Sequence, residues 1–169
     1  TCREVTDFAV YLFRALGIAC AIDFVPVRSY VNAGHFWLVA WDKTGEAYMA
    51  NFPENLGMVR KNWWYRWDDS PKVYRYTFDI NKELYEQMAK YMDVTYEYAY
   101  SFEKELVIPL EKLYRNQCSG RIAYLCVTNR DNWIPVDWTE FDAQHLAFRN
   151  VRRGTLMRVA TYENGTLNF

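Results

Sequence analysis

The sequence predicts an α+β fold, because one amphipathic helix and an antiparallel hairpin are followed by a strand-rich second half. Apolar residues recur at helical spacing over residues 5–16, and Gly17 follows them as a helix stop. Residues 35–41 place Trp37, Val39 and Trp41 at alternate positions, as a strand does. After residue 93, short β-type runs separated by polar turns are typical of a small antiparallel β-sandwich.

A capping box opens the predicted helix. Thr1 and Glu4 stand three residues apart, so that the threonine side chain caps a backbone amide and the glutamate returns the bond. The helix then starts at Cys2. One of its faces is expected to be buried, the face that carries Val5, Phe8, Ala9, Leu12, Phe13 and Leu16.

The first half also contains a predicted β-hairpin. Residues 18–27 and 35–41 are predicted to be strands, and a turn at 42–45 leads to a returning strand over 46–52. Residues 82–92 are predicted to form a short helix. The remaining strands are predicted at 72–78, 94–100, 106–110, 122–129, 133–138, 146–151 and 156–162.

Two domains are expected, a core over residues 1–80 and an antiparallel β domain over 93–169. The chain begins at a helix start, so we expect further N-terminal elements to precede the core. Residues 53–71 are irregular, and they include the aromatic residues Trp63, Trp64, Tyr65 and Trp67. These aromatic residues form either a substrate-stacking platform or a seal between the domains. The residues expected to bind substrate are Trp37, Trp63 and Trp64.

Composition limits the classes of partner. The formal net charge is −1 with acidic and basic residues interleaved, which gives no electrostatic footprint for nucleic acid. No stretch reaches the roughly 20 apolar residues that a membrane span needs. Aromatic residues make up 18% of the chain, which is typical either of surfaces that stack on peptides or sugars or of a tyrosine-rich β-sheet.

Cys2 and His35 are the residues predicted to carry chemistry. A helix N-terminus favours negative charge, so a cysteine in the first turn is favoured as a thiolate nucleophile. Histidine is the usual base near neutral pH, and the chain has two. His35 opens a predicted strand, whereas His145 lies in a polar connection, so His35 is the better-placed base.

A third residue is expected to orient the imidazole. Asp42 lies an odd number of residues along the same strand and roughly 23 Å from His35 at about 3.3 Å per residue, so it fails on geometry. If Lys43-Thr44-Gly45 forms a three-residue loop with Gly45 left-handed, Asn51 falls opposite Trp37 and diagonal to His35. A four-residue loop turns Asn51 away.

The other cysteines have simpler interpretations. Cys20 and Cys126 are expected to be buried thiols, and Cys118 either forms a local disulfide with Cys126 or is unpaired. A zinc site built from Cys2, Cys20, His35 and Asp23 is the rival chemistry, but zinc prefers three or four ligands at short spacings. No metal and no cofactor are expected.

Four segments between Cys2 and Asn51 resemble the transglutaminase-like core of the papain-like cysteine fold, as found in bacterial proteins. The order of the segments and the 33-residue interval from Cys2 to His35 are similar to the family pattern. The family usually has aspartate at the position that Asn51 matches. The segments are Cys2-Arg3-Glu4, Arg14-Ala15-Leu16-Gly17-Ile18-Ala19, the strand containing Val25-Pro26, and His35-Phe36-Trp37, which matches a His-x-Trp motif.

This resemblance implies a thiol-dependent hydrolase or acyl transferase that acts on peptide or side-chain amides through Cys2, His35 and Asn51, with hydrolysis favoured over crosslinking. It implies a transglutaminase-like core as the first domain, peptide or protein substrates including cell-wall or glycan-linked peptides, and an extracytoplasmic location. Family members place oxyanion-hole groups before the cysteine, and this sequence has none of these groups before Cys2. The alternative is therefore a catalytically inactive scaffold that binds peptide or glycan.

Overall fold

Helix α1 (Cys2–Ala15) begins at the predicted capping box. The Glu4 backbone amide donates to Thr1 Oγ1 at 3.4 Å, and the Glu4 carboxylate accepts from the Thr1 backbone nitrogen at 2.6 Å. After the helix the chain turns at Gly17, which has a φ of +74°. The capping box therefore makes Cys2 the first helical residue, as the sequence predicted.

The buried face of α1 agrees with the predicted one only in part, since Ala9 is buried and Phe13 is partly buried as expected. The helix rests on the sheet through Thr6, Ala9 and Val10. Small side chains at this contact let the helix approach closely enough for the Thr6 hydroxyl to reach a strand carbonyl. The larger apolar residues that were expected to be buried are instead exposed, namely Val5, Phe8, Leu12 and Leu16.

The computed structural model describes residues 1–28, 33–50, 57–60, 71–77, 91–98, 102–109, 122–129, 131–141 and 145–169. Within these residues, six strands of the first half form one antiparallel sheet in the order β4-β3-β2-β1-β5-β6. Their bounds are β1 (Cys20–Val25), β2 (His35–Trp41), β3 (Ala47–Ala50), β4 (Val59–Arg60), β5 (Tyr74–Tyr76) and β6 (Tyr91–Asp93).

The second half contains a two-stranded sheet, β10-β7, and a four-stranded sheet, β12-β11-β8-β9. The two sheets pack around one apolar cluster that includes Leu125, Leu146 and Phe148, and Val27 from the first half joins this cluster. The strand bounds are β7 (Phe102–Pro109), β8 (Ile122–Asn129), β9 (Asn132–Glu140), β10 (His145–Arg152), β11 (Met157–Glu163) and β12 (Thr166–Asn168).

The α+β prediction is wrong. The structure is mostly antiparallel β, with 57% strand, three sheets of which none is closed, and a single short helix among the described residues. Part of the predicted helix at 82–92 lies outside the described residues, and its described end belongs to β6 instead. Runs of aromatic and β-branched residues fit a pleated sheet better than a helix, which accounts for the low helical content. The described part of the chain contains no helix long and apolar enough to cross a membrane.

The predicted strand over 94–100 is also wrong over its described part, residues 94–98, and residues 99 and 100 lie outside the described residues. Thr95–Glu97 forms a 3-10 turn instead. The Thr95 backbone amide donates to Asp93 Oδ1 at 2.9 Å, and the Val73 amide donates to Thr95 Oγ1 at 2.9 Å. Side-chain bonds of this kind offer the backbone an alternative to a strand ladder.

The hairpin of β2 and β3 has the predicted loop. Leu38 pairs with Ala50 and Trp41 pairs with Ala47, which leaves residues 43–45 as a three-residue loop between Asp42 and Glu46. Gly45 has a φ of +85°, the left-handed conformation that this loop requires.

The six-stranded sheet carries different cores on its two faces. One face packs against α1 through Ile22, Leu38 and Ala40. The opposite face buries Val25, Trp37, Val39, Met49, Val73, Val94 and Tyr98. Alternation along β2 therefore places Phe36 on the helix face and His35 on the face of Trp37.

Lys72 connects the two halves of the chain. Its side chain is 2% exposed, and its ammonium group lies 2.7 Å from Asp93 Oδ2 and 2.7 Å from Asp137 Oδ2. It also donates to the carbonyl of Arg149. Burial raises the pKa of Asp137, which the charge of Lys72 opposes. The ammonium group thus holds β6, β9 and β10 together.

We expect Lys72→Met to lower the free energy of unfolding by about 3 kcal/mol at pH 7, because it leaves Asp93 and Asp137 without their cation. This loss in the free energy of unfolding becomes smaller when the pH is lowered past the raised pKa of Asp137 and approaches the ordinary aspartate pKa of about 3.9. The reason is that a protonated carboxyl group needs no counter-ion. Urea denaturation at several pH values measures both effects. Lys43→Met, at an exposed turn lysine, is the control and should change stability by less than about 0.5 kcal/mol. An equal loss at pH 4 and pH 7 would contradict the role given to Lys72.

Candidate functional site

Cys2 lies half-buried at the start of α1. Its carbonyl accepts a hydrogen bond at 2.8 Å from the hydroxyl of Thr6, which is fully buried. The same hydroxyl lies 3.3 Å from the carbonyl oxygen of Phe36 in β2. Thr6 therefore connects the first turn of the helix to the residue next to His35.

The direction of α1 sets which end of the sheet Cys2 occupies. Thr6 lies beside Phe36, whereas the Cys20 thiol donates to the Val10 carbonyl at 3.7 Å, and Cys20 pairs with Ala40. The helix therefore runs in the same direction as β2. Cys2, one turn before Thr6, lies toward the end of the sheet at which β2 begins.

His35 is the first residue of β2 and is 3% exposed. Its Cα pairs with that of Val25, and its ring stacks on the Trp37 indole with centroids 5.9 Å apart. His35 faces away from the side of the sheet on which α1 packs. The structure thus brings Cys2 and His35 to the same end of the sheet but to different faces of it.

Gly34 lets the backbone just before His35 pass close to the carbonyl groups of Val25 and Pro26. A Cβ atom at this position would lie 2.7 Å from the Pro26 carbonyl oxygen and 2.9 Å from that of Val25. Both distances are shorter than a carbon–oxygen contact allows, and both involve backbone atoms. Only glycine lets the chain pass β1 here and enter β2 at His35.

Of the other predicted site residues, Asn51, Trp63 and Trp64 lie outside the described residues, as does Cys118. The register of β2 and β3, described up to Ala50, is the one on which the Asn51 prediction depends. Trp37 is 1% exposed, so the structure places this predicted substrate-binding residue in the core rather than on a surface.

A buried polar network on the His35 face was missed at the sequence level. The Trp37 indole N–H donates to the Tyr98 hydroxyl at 3.0 Å, and that hydroxyl donates to Asp23. Arg75 donates to both Asp23 oxygens at 2.7 and 2.8 Å, and it also donates to both oxygens of Glu97. The available signal was Asp23 itself, a charged residue within an apolar strand sequence.

Burial and charge shift the pKa values of this network. Burial, together with the adjacent charge of Asp23, raises the pKa of Tyr98 well above its ordinary value, so its hydroxyl keeps its proton. Burial by itself lowers the pKa of Arg75, but bonds and charges from Asp23 and Glu97 outweigh it and raise that pKa. The guanidinium and the phenol therefore remain hydrogen-bond donors across the pH range in which histidine titrates.

The other described cysteines are less suited to nucleophilic chemistry. Cys20 and Cys126 are buried and free, as expected. Burial raises the pKa of Cys20, and burial raises that of Cys126 to about 11. Within the described ranges, no three histidine, cysteine or acidic residues are grouped to hold a metal ion, so the rival set of Cys2, Cys20, Asp23 and His35 does not assemble there.

A second polar region surrounds Lys72. A cleft of about 540 Å³ is lined by Asp93, Glu105, Asp137 and Glu140, with Trp138 and Arg149 at its walls. Lys72 already donates to two of these carboxylates and to a backbone carbonyl. This arrangement explains how the two halves are joined.

Comparison of this chain with protein-family models, with curated proteins and with solved structures found no match. Its function is therefore inferred from its own residues and contacts. Three local features bear on that inference: the capped helix start at Cys2, the Thr6 bridge, and the position of His35 at the beginning of β2.

We expect Gly34→Ala to destabilise the protein by about 1–3 kcal/mol, because the added methyl group meets two backbone carbonyl oxygens that cannot rotate away. The chain must shift just before His35. Urea denaturation measures the stability loss, and the NMR resonances of the His35 ring report the displacement. Ala33→Ser, at the exposed preceding residue, is the control and should change neither. A fully stable Gly34→Ala protein with unmoved His35 resonances would show that the close approach does not position His35.

Proposed function

We propose that the chain is a thiol-dependent amide hydrolase or acyl transferase, related to transglutaminase-like cysteine enzymes. Cys2 is the nucleophile, His35 is the base, and Asn51 orients the imidazole. The observation that carries the proposal is the Thr6 hydroxyl, which connects the Cys2 carbonyl to the carbonyl of Phe36, the residue next to His35.

The helix start supports a thiolate at Cys2. Residue N1 lies beside backbone amides that have no partner within the helix, and the positive end of the helix dipole favours negative charge. Cys2 is also half-exposed, whereas Cys20 and Cys126 are buried with raised pKa values. Among the described cysteines, Cys2 thus has the environment that nucleophilic chemistry needs.

The reaction proceeds in two steps. The Cys2 thiolate adds to an amide carbonyl carbon, the carbon–nitrogen bond breaks, and the amine leaves with the proton that His35 held. The resulting thioester is then attacked by water, which His35 deprotonates, and the carboxylic acid is released as the Cys2 thiol re-forms. An amine in place of water gives transfer instead, and we favour hydrolysis.

Peptide or protein substrates are part of the same proposal, including cell-wall or glycan-linked peptides, as is an extracytoplasmic location. Both come from the resemblance of the Cys2 to Asn51 segment. The net charge of −1 gives no general attraction for polyanions, which is consistent with a peptide substrate.

A non-catalytic peptide- or glycan-binding module is the second candidate. The burial of His35, at 3% exposure and on the sheet face opposite to α1, favours this alternative, because a catalytic base must reach the thiol. The two candidates differ in one measurable property, the dependence of Cys2 reactivity on His35.

The test is the rate of iodoacetamide modification of Cys2 as a function of pH, followed on the peptide that contains Cys2 by mass spectrometry. We expect iodoacetamide to modify Cys2 several-fold faster near neutral pH in the parent protein than in His35→Ala, because His35 accepts the thiol proton and so favours the reactive thiolate.

His145→Ala is the matched control, since it removes the other of the chain's two histidines and should leave the profile unchanged. Cys118→Ser in every protein removes the one thiol that lies outside the described residues. Equal modification rates of Cys2 in the parent protein and His35→Ala would overturn the enzyme proposal and favour the binding module.

A further inference from the structure

We infer that Tyr98 is a positioning residue for His35, and that it acts through the indole of Trp37. The inference rests on the proposed function for its catalytic meaning. Tyr98 is 61 residues from Trp37 in the chain, yet its hydroxyl accepts the indole N–H at 3.0 Å. No sequence motif joins the two residues, so only the fold reveals the link.

The Tyr98 hydroxyl is fixed from two sides. It accepts from the Trp37 indole and donates to Asp23, so it has one preferred orientation. Asp23 is in turn held by two bonds from Arg75, whose guanidinium also binds Glu97 and lies over the Trp41 ring, 4.9 Å from its centroid. A group held by so many contacts is a rigid anchor for the next one.

The anchored hydroxyl determines how the indole lies. Trp37 meets the Tyr98 ring edge-on, with centroids 5.5 Å apart, and its N–H bond prevents the ring from turning over. The face of that indole is the surface on which the His35 ring stacks, at 5.9 Å and 30°. The surface on which the imidazole stacks is therefore held by a hydrogen bond that Trp37 makes.

This arrangement is suited to a base at the end of a strand. His35 is the first residue of β2, where fewer ladder bonds hold the backbone than in the middle of the sheet. An aromatic stack alone permits sliding of one ring over the other. A stack on an indole that is itself hydrogen-bonded limits that motion.

The experiment compares Tyr98→Phe with Tyr74→Phe. Each variant removes one buried phenolic hydroxyl, but the Tyr74 hydroxyl donates to the Val136 carbonyl at 2.7 Å and has no bond to Trp37. The readout is the NMR resonance of the His35 Cε1 proton at pH 8, above the ordinary histidine pKa of about 6.5. Ring-current effects make this resonance sensitive to the position of the indole. His145→Gln assigns it, because the chain has two histidines.

In Tyr98→Phe we expect the His35 resonance to move by more than its linewidth toward the position of an unstacked histidine, and Tyr74→Phe should leave it in place. Urea denaturation of both variants checks that each is folded. If Tyr98→Phe does not fold in buffer, the same comparison is made in trimethylamine N-oxide, an osmolyte that favours the folded state. An unmoved resonance in the folded variant, or equal movement in the two tyrosine variants, would overturn the inference.

Cys2 alkylation is measured on the same proteins. If both proposals hold, Tyr98→Phe lowers the alkylation rate toward that of His35→Ala, and Tyr74→Phe does not. If the parent protein and His35→Ala react alike, the proposed function fails, while the His35 resonance still reports whether Tyr98 positions the ring. A moved resonance with an unchanged alkylation rate would overturn the catalytic meaning of the inference alone.

Discussion

The buried carboxylate of Asp23 is the constraint on which the first half of the structure depends. It lies in the middle of β1 with no solvent exposure, and an ion in that position is stable only if its charge and its hydrogen-bonding capacity are met. Arg75 supplies the compensating positive charge and donates two hydrogen bonds to Asp23, and the Tyr98 hydroxyl donates a third hydrogen bond. β5, which carries Arg75, and the turn that precedes Tyr98 must therefore pack against the sheet beside Asp23.

That constraint also organises the candidate site. Asp23 pairs with Trp37 across β1 and β2, so the polar network and the His35 ring share one face of the sheet. The opposite face is apolar and receives α1. A network of ions on one side and a close helix contact on the other leave little freedom to the strands that carry His35.

Local features were predictable from the sequence. The capping box, the bounds of β2 and β8, and the three-residue loop at Gly45 each follow from a few adjacent residues whose chemistry has one good solution. The α+β class and most of the predicted buried face of α1 were wrong because they depend on packing between distant segments. Thr6 and Val10 face the sheet for reasons of fit, which helical spacing alone does not express.

In the candidate site, too, features with a local sequence signal were predictable, and contacts between distant segments were not. Cys2 and His35 were found from local signals, a helix start and a strand start, and the structure brings both to one end of the sheet. His35 stacks on Trp37, and the groups that hold the Trp37 indole come from positions 23, 75 and 98. Tyrosine and arginine are ordinary residue types that give no local sign of their partners. An aspartate in an apolar strand indicates that a cation must exist, but not where in the chain it lies. A sequence can therefore indicate candidate reacting residues more readily than the residues that hold them in position.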